Sequence, residues 1–147
     1  MKQILSNDII NQYMPTLVKC PLFNTLGEPE LRGYLNNAKV IIHSYKKNDF
    51  IALAGDPMEG IGVILEGSAL LTRKNVMGQR VIMANLEQSD IFGEALLFSK
   101  QPLWPATIKA TKATKIMFIP LETFIKTLPD CHQCQTKILS NLLEDLS

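Results

Sequence analysis

Residues 89–111 read SDIFGEALLFSKQPLWPATIKAT, and this stretch decides the fold. At its C-terminal end Ala106, Ile108 and Ala110 alternate with Thr107, Lys109 and Thr111. A period of two puts one set on a buried face and the other in water, the signature of a half-buried strand. At its N-terminal end a β-prone run meets Gly93, which permits an unusual turn. Glu94 then opens a helical turn of Ala95, Leu96, Leu97 and Phe98. Free backbone N–H groups at such a turn form an anion-accepting nest, and Glu94 places a hydrogen-bond acceptor at the same mouth.

Working outward, short β-prone runs fill the chain from Lys39 onward. They are Val40–Tyr45, Phe50–Leu53, Ile61–Glu66, Ser68–Arg73, Arg80–Leu86 and Lys115–Ile119. Turn-forming residues close them: Lys46-Lys47-Asn48-Asp49, Gly55-Asp56-Pro57, Gly67 and Asn75-Val76-Met77-Gly78. Many short strands at close spacing with glycine turns predict an antiparallel barrel or sandwich. No strand alternates with a long helix, which argues against a parallel α/β sheet.

The flanks read as helical. Ser6–Met14 is a short helix with Ser6 or Asn7 as N-cap, Asp8 in its first turn and Pro15 discouraging continuation. Thr16–Phe23 is a connector. Pro29–Asn37 is a second helix with proline in its first turn, and Pro120–Leu128 a third of one or two turns. A longer helix begins near Pro129-Asp130 and carries a stripe of Ile138, Leu139, Leu142, Leu143 and Leu146. That stripe fits packing on the domain's own sheet and a dimer seam equally. The helix has no stop signal before Ser147, so the chain is expected to be a piece of something longer.

A length of 147 residues is a single-domain length, and 46% apolar with 20% charged residues is a globular balance. The net charge is +1 and the basic residues cluster only as pairs, Lys46-Lys47 and Arg73-Lys74. Direct nucleic-acid binding by this segment has little support from such a distribution. No apolar run approaches the roughly 18 residues of a membrane span, and the N-terminus lacks a signal peptide's apolar region. A cytoplasmic protein is the default expectation. Three cysteines, Cys20, Cys131 and Cys134, are an odd count that reads as reduced thiols.

Catalytic chemistry has no foothold. The only histidines are His43 and His132, and no Gly-x-Ser-x-Gly elbow, His-Glu-x-x-His or Walker loop is present. The chain reads as no enzyme and as carrying no cofactor. Cys131 and Cys134 have the spacing of half a metal site. The plainer reading is that these small apolar thiols pack on the helix's inner face, so no metal is expected.

Set in order, Cys20-Pro21-Leu22-Phe23, Ala54-Gly55-Asp56-Pro57, Ile64-Leu65-Glu66-Gly67-Ser68, Gly93-Glu94 and Ala106-Thr107-Ile108-Lys109-Ala110 make a composite pattern. Over roughly residues 15–147 the chain resembles the sensor domain of the Crp/Fnr transcription-regulator superfamily, the cyclic-nucleotide-binding β-roll. The resemblance implies a mainly β fold, an eight-stranded double-stranded β-helix of jelly-roll type with flanking helices and a C-terminal dimerisation helix. The corresponding division is a helical segment over 1–16, an effector-binding roll over 17–128 and the start of the dimer helix over 129–147. In the full-length family a DNA-binding domain follows, which this chain does not contain.

The resemblance also implies a site. In cyclic-nucleotide binders the glutamate of Gly-Glu takes the ribose hydroxyl, an arginine ten residues later pairs with the cyclic phosphate, and a neighbouring Ser or Thr adds a hydroxyl. Glu94 carries over. The arginine position holds Trp104 and the hydroxyl position Pro105, while Ala106 fits. Lys100 is the candidate phosphate rescue, and Thr107 could supply the hydroxyl if the strand slips by two residues, which keeps its face. Gly93, Glu94, Ala95, Leu96, Trp104, Pro105, Ala106 and Thr107, with Leu71, Met83 and Leu86, are therefore the expected effector site. Trp104 is either an apolar plug or a stacking wall for an effector other than cyclic AMP, aromatic acids included. The functional expectation is an effector-sensing and dimerisation domain of a Crp/Fnr-type regulator. The alternatives are a cyclic-nucleotide domain with a non-standard phosphate site, and a stand-alone interaction module that uses the Ile138–Leu146 stripe.

Overall fold

The computed structural model describes residues 2–97, 99–124 and 132–146. Two antiparallel sheets face each other. The first runs in the order β1 (Lys2–Ile4), β2 (Ile41–Tyr45), β9 (Thr114–Pro120), β4 (Gly60–Glu66), β7 (Ile91–Phe92). The second runs β3 (Phe50–Ala52), β8 (Thr107–Ala110), β5 (Ser68–Lys74), β6 (Arg80–Glu87). Three helices flank them, α1 (Asn7–Leu17), α2 (Glu28–Asn37) and α3 (His132–Leu146). Strands β2 to β9 form the expected roll. β1 was not foreseen in the helical segment over 1–16: three residues pair with the open edge of β2, Gln3 opposite Ile42.

The first sheet is buried on both faces. Along β4, Ile61, Val63 and Leu65 join a core beneath the helices, while Ile64 points into the roll. Along β9, Met117 and Ile119 face the helices, and Ile116 and Phe118 face the roll. A strand covered on both sides reads as a continuous apolar run, as 61–65 does. The second sheet is covered on one side only. Ile108 and Ala110 are buried while Thr107 and Lys109 are half-exposed, the alternation expected from the sequence.

Helix α1 runs past Pro15. Ser6 caps it, its hydroxyl accepting from Ile9 N–H at 3.3 Å, but the helix continues to Leu17 with Pro15 inside. Thr16 and Leu17 are buried, so tertiary packing outweighs the one hydrogen bond proline removes. Thr16 and Leu17 therefore belong to the helix, and only the rest of the expected connector is turn. In α2, Glu30 Oε1 accepts from Gly27 N–H at 3.4 Å, and the Lys137 ammonium of α3 pairs with Glu30 at 2.9 Å. Of the expected helix over Pro120–Leu128, the described part forms a 3-10 turn at Leu121–Phe124. Its remainder, the start of the last helix at Pro129-Asp130, Phe98 and Cys131 lie outside the described residues.

Helix α3 resolves most of the stripe. Ile138 and Leu142 are buried in the core shared with α1 and α2, and Leu139 packs at its margin. Asn141 donates to Leu22 O at 2.9 Å and Gln135 to Thr123 O at 2.8 Å. Ile138 and Leu142 are thus packed into the domain's own core. Leu143 is 60% exposed, and the Leu146 side chain is outside the described residues. The reason is register: a stripe wide enough for two readings is split, one edge inward and one edge outward.

Gly62 sets the spacing between β4 and β7. It faces Phe92 across the ladder, and a Cβ at this position would fall within the Phe92 ring. Gly62→Ala should therefore destabilise the domain by about 1–3 kcal/mol, the usual effect of overpacking. Urea unfolding measures it as a lower midpoint at unchanged slope.

Candidate functional site

The Gly93-Glu94 turn lies at the end of β7. Gly93 has φ +91°, a left-handed conformation that favours glycine. A Cβ there would also stand 2.9 Å from Met58 Cε and 3.1 Å from the Trp104 ring. Glycine is required twice over, for backbone freedom and for space. Residues Glu94–Leu96 follow as one 3-10 turn.

Glu94 points into a dry place. Its Oε2 is buried without a hydrogen-bond partner among the described residues. Burial pushes its carboxyl above the ordinary glutamate range, and the nearby Asp145 carboxylate of α3 pushes the same way. A carboxyl in this setting is held ready for a donor or a proton. Helix α3 packs against this turn, and Leu97, just after it, shares a core with Ile138 and Leu142.

Trp104 fills the interior. It is 7% exposed and packs with Met58, Leu86, Phe92 and Phe118 between the two sheets. Its ring lies 5.7 Å from that of Phe92, which meets Phe118 edge-on at 6.0 Å. The backbone holds it from both sides: Trp104 N–H donates to Asp56 O at 2.8 Å, and Gly55 N–H donates to Trp104 O at 2.8 Å. Met58 N–H to Pro102 O at 2.9 Å extends the clamp. The indole is thus fixed where the resemblance places a phosphate-binding arginine.

The expected site residues divide into two groups. Leu71, Leu86, Leu96 and Trp104 belong to one interior cluster, Ala106 is buried, and Gly93 touches Trp104. The others point elsewhere. Ala95 and Lys100 are exposed, so Lys100 supplies no cation to the interior. Pro105 and Thr107 face outward beside Thr72 and Arg80 around a surface cleft. Thr107 Oγ1 accepts from Ala54 N–H at 3.2 Å, which ties its hydroxyl to the 54–56 segment on that outer side. Met83 is 53% exposed; it stands three residues from buried Leu86 in the same strand, so the period of two sets it on the opposite face. Sequence reasoning missed Met58, Phe92 and Phe118 as the packing around Trp104. Phe92, directly before Gly93, was the readable signal.

Cys20 and Cys134 are buried thiols, and Cys134 donates to Glu30 O at 3.6 Å. Burial raises the Cys20 thiol to about 12, so it stays protonated. Among the described residues no group of metal-ligating side chains gathers, and no helix is long and apolar enough to cross a membrane.

The sequence model of the family described as "Cyclic nucleotide-binding domain" matches residues 42–130. The chain is 30% identical over 123 residues to the cAMP-activated global transcriptional regulator CRP of Pasteurella multocida, covering 82% of this chain and 58% of that protein. It thus spans little more than half the length of this curated relative. Among solved structures it superposes on the sensor domain of the transcriptional regulator DNR from Pseudomonas aeruginosa with TM-score 0.74 at 20% identity, covering 95% of this chain and 89% of that one. The Thermus thermophilus catabolite activator protein gives TM-score 0.74 at 22% identity, over 86% of this chain and 56% of that one. With its two-sheet roll, its Gly93-Glu94 turn and this match, the chain belongs to the cyclic nucleotide-binding domain family.

Proposed function

We propose that this chain senses a small-molecule effector other than cyclic AMP, and that in a longer protein the signal passes through α3 to a homodimer and a DNA-binding domain. A cytoplasmic location goes with that role. One observation carries the reading: Trp104 is buried and clamped in the place where a cyclic phosphate would need its arginine. A phosphate buried without its cation costs about 3–5 kcal/mol, at least a hundredfold in affinity. Lys100 and Thr107, the conceivable substitutes, face away. The effector this site suits brings a hydrogen-bond donor to Glu94 and apolar surface to Leu71, Leu86 and Leu96. The contact of α3 with the Glu94–Leu96 turn supports the relay. The stand-alone interaction reading loses ground because Ile138 and Leu142 are already used within the domain.

Calorimetric titration of residues 1–147 should give no heat with millimolar cyclic AMP. The double variant Trp104→Arg, Pro105→Ser should gain at least tenfold in affinity. Micromolar binding by the unaltered chain would refute the reading.

A second expectation concerns stability. A carboxyl raised in the folded state adds stability at pH below its unfolded value and loses it as pH rises through the folded one. Glu94→Gln should therefore raise the melting temperature at about pH 8, and the gain should shrink toward about pH 4. Stability held back at a binding residue is a common cost of function.

A third concerns assembly. With Ile138 and Leu142 turned inward, residues 1–147 should sediment as a monomer at micromolar concentration; a tight dimer would contradict the account of α3.

A further inference from the structure

A second cavity lies beside the first site. It occupies about 320 Å³ between β2, β3 and the 56–59 turn, at the small end of the range for small-molecule sites. Its walls include the rings of His43, Tyr45, Phe118 and Trp104, and Asp56 and Glu59 stand at its rim. Glu94 does not line it. Among the described residues, no wall of the cavity is a lysine or an arginine.

The rings form a connected series. His43 stacks on Tyr45 with centroids 6.1 Å apart at 24°. His43 meets Phe118 edge-on at 5.6 Å, Phe118 meets Phe92, and Phe92 meets Trp104. Aromatic faces carry negative partial charge and attract cations. The rim adds formal negative charge of the same sign. The Tyr45 phenol registers this field: it is raised to about 12 by burial first, then by Glu59 and Asp49. At the lip, Lys109 Nζ stands 5.7 Å from the centre of the Phe50 ring, the geometry a ligand cation would take over the inner rings.

We propose that this cavity binds a small organic cation, an ammonium carried on an apolar or aromatic body, with the body against Trp104 and Phe118 and the charge toward Tyr45, Asp56 and Glu59. The site is distinct from the one at Glu94 and does not rest on the identity of the effector there. Through Trp104 and Phe92 the two sites share a wall, so occupancy of the cavity bears on the Gly93-Glu94 turn.

Nitrogen-15 NMR of residues 1–147 tests it with three aromatic probes: benzyltrimethylammonium chloride, neutral benzyl alcohol and sodium benzoate. The ammonium should move the Trp104 indole signal and the amides of Tyr45, Ile51 and Glu59 to saturation. Its affinity should exceed that of benzyl alcohol about tenfold, with benzoate weakest. The double variant Asp56→Asn, Glu59→Gln should keep the spectral dispersion of the fold and weaken the ammonium several-fold. Equal binding of the three probes, preference for benzoate, or no shift at tens of millimolar would overturn the proposal. Ammonium-induced shifts confined to residues 93–97 would also overturn it and would place the probe at the Glu94 site. The cyclic AMP titration is independent of all these outcomes, so failure here and failure of the effector reading are told apart.

Discussion

Strands β4 and β9 bury both of their faces, and the rest of the structure depends on that constraint. Each inward residue helps to close the roll, and each outward one supports the helices. Burial of apolar surface is the dominant favourable term in folding, and this pair serves two cores at once. The pairing of Gly62 with Phe92 shows how tight the arrangement is: the ring occupies the space a side chain would need. Because Phe92 is fixed there, Gly93 and Glu94 follow at a defined place.

Trp104 completes the same layer from the opposite sheet's approach. Its backbone is hydrogen-bonded on both sides to the 55–56 turn, and its ring abuts Phe92. Where the resemblance places the phosphate site, the interior is thus aromatic. Glu94 Oε2 is buried without a hydrogen-bond partner among the described residues, and burial raises its carboxyl, which supports the ligand-binding role proposed for it. The cavity beside Trp104 carries aromatic residues with Asp56 and Glu59 at its rim, the features on which the proposed cation site rests.

Much of this was legible in the sequence. The alternation at 106–110 gave the wet and dry faces of β8, and the run at 61–65 matched a strand covered twice. The pattern around Gly93-Glu94 located the turn. What failed was governed by tertiary context. Met83 is the exception: it stands an odd number of residues from Leu86, so strand alternation alone sets the two on opposite faces. Pro15 stayed inside α1 because Thr16 and Leu17 gain a core. The strand at Lys2–Ile4 exists because β2 offers an edge. The stripe on α3 could not be divided from periodicity alone, since a core face and a dimer face share one spacing. Thr107 lies on the outer side of β8, where its hydroxyl accepts from Ala54 N–H.

The central claim is that the Trp104 indole fills the interior of the roll. Trp104 is the only tryptophan in the chain, so its fluorescence reports on this position alone. Acrylamide quenching of the ligand-free domain is the most direct measurement. The account predicts emission blue-shifted from that of free indole and a quenching constant far below that of the urea-unfolded chain. Red-shifted emission quenched as readily as in the unfolded chain would mean that the interior is open and that Trp104 does not occupy it.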